Sequence, residues 1–177
     1  MILAAAFVLH VASGALWTGA TLYFVYATLP RGLDGSLDPE TFVDGAHRLL
    51  MITRWTGVVL PLTGAYMIWV LYTPLELLTA TTRGWLVLAM LTLWGVMNGL
   101  IELGVLRIRR AVDPGVGWAT YMQEGVPTDV IEDATVEELA DATVEELATR
   151  ARPALLASAG CAVLLLVDAG LLAGGVA

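Results

Sequence analysis

Four stretches of this chain, 2–29, 55–73, 84–106 and 153–176, are long and apolar, with only His10, Glu102 and Asp168 as readily ionised groups. Each has about the 20 residues a helix needs to cross ~30 Å of hydrocarbon, and a helix satisfies its own backbone groups where no water can. That requirement excludes most other folds. The expectation is an all-α integral membrane protein, a single domain over 1–177, with four transmembrane helices in an antiparallel bundle. A mean hydropathy of +0.76 and a 58% hydrophobic content agree. The first stretch is too long for a signal-peptide core and has no basic residue before it, so it reads as a retained span.

Arginine placement sets an expected orientation. Arg31, Arg48, Arg54, Arg107, Arg109, Arg110, Arg150 and Arg152 lie in or beside the first and third loops, whereas the second loop has only Arg83. By the positive-inside rule, both termini then lie outside a multi-pass cell-membrane protein. All nine basic residues are arginine, against seventeen acids. This acid excess resembles a salt-adapted composition. Most of it sits in residues 111–150, a long acidic cytoplasmic loop between the third and fourth spans, with ten acids and one arginine. The balance gives no basic patch for nucleic acid. The lipid bilayer is the expected partner, and a second copy or a partner membrane subunit stays open.

In the first loop, Asp38 is a predicted N-cap with Pro39 at the first helical position. Phe42, Val43, Ala46, Leu49 and Leu50 follow at helical spacing, so the second helix should begin in water and continue into the membrane. The acidic loop contains a direct duplication, "DATVEELADATVEELA" at 133–148. Thr135 with Glu138, and Thr143 with Glu146, have capping-box spacing and predict one or two short surface helices.

Ionisable groups in hydrocarbon are costly and usually face a bundle interior or water. Counting helix rise places His10, Met67, Met90 and Asp168 at a similar level in the outer half. It places Arg54 and Glu102 together near the cytoplasmic end, as a structural ion pair. His47 falls at that same end, too far from His10 for both to ligate one haem. Gly14 with Thr18, and Ala15 with Gly19, are small-residue pairs suited to close helix packing. The tryptophans fall mostly near span ends, as an aromatic belt does. The lone Cys161 excludes a disulfide framework. No phosphate loop, nucleophile elbow or zinc-protease pattern is present, so the reading leans away from an enzyme.

The segments "LHVASGALWTGA", "RWTGVVLPLTGAYMI" and "RGWLVLAMLTL" resemble the first three helices of the copper-resistance CopD family and of the related HemJ-type haem proteins. The resemblance covers about residues 1–110. It implies copper handling or non-covalent haem b, with His10 matching the family's helix-one histidine. Where many relatives carry a lysine six residues after the third-helix glycine, this chain has Met90, which takes away a polar partner of that histidine. Imidazole with thioether suits either Cu(I) or haem iron. The expected ligands are His10 and Met90, with Met67 a further metal ligand and Asp168 a charge-compensating one. The expected function is copper binding or transport, the alternatives being a haem b redox protein and a cofactor-free accessory subunit.

Overall fold

The computed structural model describes residues 1–124 and 142–175, and among these every regular element is helical. We number the helices α1 (Ile2–Leu33), α2 (Pro39–Leu71), α3 (Leu77–Ala80), α4 (Thr82–Val112), α5 (Trp118–Glu124) and α6 (Val144–Ala173). A π-helical stretch, Phe24–Thr28, interrupts α1.

Three helices, α1, α4 and α6, are long and apolar enough to cross a membrane. The expected fourth span, 55–73, overlaps the C-terminal half of α2, a continuous 33-residue helix ending at Leu71, whose apolar character is diluted by Arg54, Thr56, Pro61 and Thr63 so that it does not meet the same measure. Helix boundaries run beyond the apolar runs. α1 continues past residue 29 to Leu33, α4 continues past 106 to Val112, and α6 begins at Val144, leaving Pro153 inside it. Hydropathy marks where side chains turn polar, whereas backbone hydrogen bonding continues until a cap or a glycine stops it.

Local chemistry explains these starts. Asp38 Oδ1 accepts from Thr41 N at 3.0 Å with Pro39 at the first position, so α2 begins as expected. Phe42, Ala46, Leu49 and Leu50 are then buried. Thr81 caps α4 by accepting from Gly84 N at 3.0 Å. Thr143 caps α6 by accepting from Glu146 N at 3.3 Å.

The second copy of the duplication is therefore no surface helix. Its residues from Val144 form the first turns of α6, with Val144, Leu147 and Ala148 buried. Gly32 at the end of α1 lies so close that a Cβ there would meet Phe42 at 2.9 Å and Ala148 at 3.1 Å. Thr135, Glu138 and the rest of the first copy lie outside the described residues.

The helices pack as a ring with one weak seam. α1 packs mainly on α2, α4 packs most extensively on α6, and α6 also meets α1, whereas α2 and α4 touch little. Gly104 permits the closest approach of α4 to α6, since a Cβ there would lie 3.2 Å from Leu155. In the most apolar part of α6, 39% of residues are buried, against 11% in α1 and α4, which identifies α6 as the central helix. Outward faces carry Val8, Val11, Leu16, Val58, Leu62, Leu91, Leu164 and Val167, a surface suited to lipid rather than water.

Two expectations change. Of the small-residue pairs, Gly14 and Thr18 face inward, but Ala15 and Gly19 are exposed. Trp17 belongs to the core and not to a belt, being buried with its indole N–H donated to Thr53 Oγ1 at 3.0 Å. Trp55, Trp69, Trp85 and Trp118 are exposed.

Candidate functional site

His10 lies on the inward face of α1, opposite Thr63 and Gly64 of α2. Its Nδ1 is 2.8 Å from Thr63 Oγ1. Thr63 has a single hydroxyl proton, and carbonyls one turn back surround it, Val59 O at 2.7 Å and Leu60 O at 3.1 Å. When that proton goes to Val59, Thr63 accepts from the ring and Nδ1 carries the hydrogen; when it goes to the ring, Nδ1 accepts and Nε2 carries the hydrogen. In the first tautomer Nε2 is the unprotonated nitrogen, the form in which imidazole binds metals. The missing side chain at Gly64 makes room, since a Cβ there would approach His10 Cε1 to 3.4 Å. Thr63 was not singled out by sequence reasoning. Its only signal was the Thr-Gly pair in "PLTGAY".

Asp168 is 6% exposed, on the buried side of α6, and its Oδ2 has no hydrogen-bond partner among the described residues. Its carboxyl is enclosed by neighbouring helices. Met67 and Met90 are both half-buried, and Met90 packs against the core. No group of three or more His, Cys, Asp and Glu side chains comes together among the described residues. His47 is far from this region. It adjoins Gly45, which faces Phe24, fourteen residues along α1 from His10, or ~21 Å by helix rise.

The other polar centre lies at the arginine-bearing end, in the weak seam. Arg54 of α2 grips Glu102 of α4 bidentately, Nε to Oε1 at 3.0 Å and Nη2 to Oε2 at 3.2 Å. Their side chains are 17% and 13% exposed. Tyr121 of α5 places its ring 5.2 Å from Arg54 Cζ and donates its hydroxyl to Glu102 O at 3.4 Å. Burial, with Glu102 beside it, pushes the Tyr121 pKa upward, so the phenol keeps its proton.

Beside this pair opens a cleft of ≈ 490 Å³, lined by Arg54, Gly57, Val58, Trp94, Gly95, Asn98, Glu102 and Met122. A Cβ at Gly57 would lie 3.3 Å from Asn98 Oδ1 of α4, whereas one at Gly95 would meet nothing within 4 Å. Asn98 bonds its own helix only weakly, Nδ2 to Trp94 O at 3.4 Å. The indole N–H of Trp94 is buried with no partner among the described residues. The cleft was not legible in the sequence, because it depends on how far two helices stand apart.

Comparison with protein-family models, curated proteins and solved structures gave no match to this chain.

Proposed function

We propose that the chain is a multi-pass membrane protein in which α2 crosses with α1, α4 and α6, both termini lying on the face away from the arginines. Its cargo is copper, taken as Cu(I) by His10 with Met90 and Met67, and Asp168 compensates charge.

The observation that carries this reading is the hydrogen bond between His10 Nδ1 and Thr63 Oγ1, which in the tautomer with the hydrogen on Nδ1 leaves Nε2 as a lone pair. A histidine serving only as packing glue would gain from using both nitrogens. Helix register adds support. Arg54 faces Glu102 and Gly57 faces Asn98, so residue numbers across α2 and α4 total 155 or 156, which sets Met67 level with residues 88–89. Gly104 faces Ala154 and Leu155, a total of 258 or 259 across α4 and α6, which sets Met90 level with residues 168–169. By these counts Met67, Met90 and Asp168 lie within about one turn of one another along the bundle, His10 stands opposite Thr63 one turn from Met67, and the buried, unpartnered oxygen of Asp168 suits a site that takes a cation. Thioether is a soft donor that favours Cu(I) over harder ions, and neutral imidazole, a borderline donor, also suits copper. The resemblance to the CopD family points the same way.

The test is elemental analysis of purified protein and its His10→Ala variant after loading with Cu(I). About one copper per chain in the parent, lost in the variant, is expected. Equal and negligible content in both sinks the proposal. A haem b reading rests on the same free Nε2, and a Soret band in protein from haem-replete cells would replace copper with haem.

A further inference from the structure

The cleft between α2 and α4 is a second site, independent of the His10 region. Its lining is graded. At one end stand Arg54 and Glu102, charged and part-buried. Asn98 lies one helical turn further along α4, with an amide not committed to a strong bond. Gly57 stands opposite Asn98 with Val58 next to it, and beyond them the walls are Gly95 and Trp94, without charge. From Glu102 to Trp94 is eight residues, or ~12 Å along the helix axis.

The charged end is the one nearer the membrane surface. Glu102 precedes Arg107, Arg109 and Arg110 by only five to eight residues, whereas Trp94 points back into the apolar body of α4. A phospholipid has the same order of polarity on the same axis: a charged phosphate headgroup, then glycerol oxygens, then acyl chain. We propose that this cleft binds one membrane phospholipid, its phosphate on Arg54, its glycerol oxygens between Asn98 and Gly57, and its chain over Gly95 and Trp94.

Charge chemistry narrows the headgroup. Glu102 already neutralises Arg54, so the site offers a guanidinium and a carboxylate side by side. That pairing matches a zwitterionic headgroup, in which a phosphate meets the guanidinium and an ammonium meets the carboxylate. A bare phosphate ion would use neither the amide nor the glycine-lined walls.

Gly95 makes a clean test possible. A Cβ built there meets nothing within 4 Å, so this position on the cleft wall has room for a larger side chain. The purified full chain and its Gly95→Leu variant are each exchanged into detergent containing phosphatidylethanolamine. Retained lipid is then counted by native mass spectrometry and phosphorus assay, with diacylglycerol as the headgroup-free control.

The parent should retain about one phosphatidylethanolamine per chain and little diacylglycerol. The Gly95→Leu variant should retain at least ten-fold less while melting no lower than the parent. Three results overturn the proposal: equal retention in parent and variant, no retention in either, or equal retention of diacylglycerol, which would make the cleft a chain groove with no headgroup site. Should Gly95→Leu fail to fold, Asn98→Leu, which keeps the volume and removes the amide, replaces it with the same readout.

Discussion

Removing Glu102 tests the pairing that ties α2 to α4 across the weak seam. In Glu102→Gln the side chain keeps its size, but Arg54 is left without its counter-charge, 17% exposed between two helices. At ~4 Å between charge centres and an effective dielectric of about 20, the lost attraction is about 4 kcal/mol. Access from the cleft to headgroup water lowers it, and about 2 kcal/mol is expected as the coupling. A double-mutant cycle with Arg54→Gln isolates that quantity. Each single variant should lose roughly 2–4 kcal/mol, because it strands a part-buried charge. The double variant should lose less than the two singles together. The assay is reversible unfolding in mixed micelles, followed by circular dichroism. A coupling below about 0.5 kcal/mol would show that the seam is held by packing and that the bidentate geometry contributes nothing measurable.

Four further outcomes follow from other parts of the bundle. Thr63→Val removes the hydroxyl bonded to His10 Nδ1, so copper affinity should fall roughly 10- to 100-fold, with recovery in Thr63→Ser; unchanged affinity in a Cu(I) competition titration would show that the hydroxyl does not orient the ring. Gly104→Val forces a Cβ to 3.2 Å from Leu155 and should cost about 1–3 kcal/mol, visible as a lower melting midpoint. Thr143→Ala removes the cap of α6 and should cost ~1 kcal/mol, largely restored by Thr143→Ser, in the same unfolding assay. Burial lowers the His47 pKa below its ordinary 6.5, so the unfolded chain takes up this proton before the folded one does. The stability from neutral His47 is whole above pH 6.5 and declines as pH falls through that value; His47→Gln should flatten this part of the profile, and identical parent and variant profiles from pH 7.5 to 5.5 would refute it.

The chain's helical, membrane-suited character was legible in the sequence because hydrocarbon imposes one requirement on every residue of a span, and composition alone shows whether it is met. Caps were legible for the same kind of reason. Asp38 before Pro39, and Thr143 three residues before Glu146, act through neighbours in the chain, so spacing specifies the contact. The second copy of the duplication looked like surface helix because the sequence does not say what lies beside it; the close backbone at Gly32 buries its Val144, Leu147 and Ala148.

Side-chain state and helix separation were decided only by tertiary structure. The sequence marked His10 as an anomalous ring, but the hydrogen-bond partner of its Nδ1 is Thr63, fifty-three residues away. It marked Arg54 and Glu102 as opposite charges at one depth, but not the open cleft beside them. That cleft exists because α4 gives most of its packing to α6 and α1 gives most of its own to α2, leaving Gly57 and Gly95 to line the seam between. Periodicity fixes which residues share a face of one helix; how far two faces stand apart depends on the side chains of every helix packed around them.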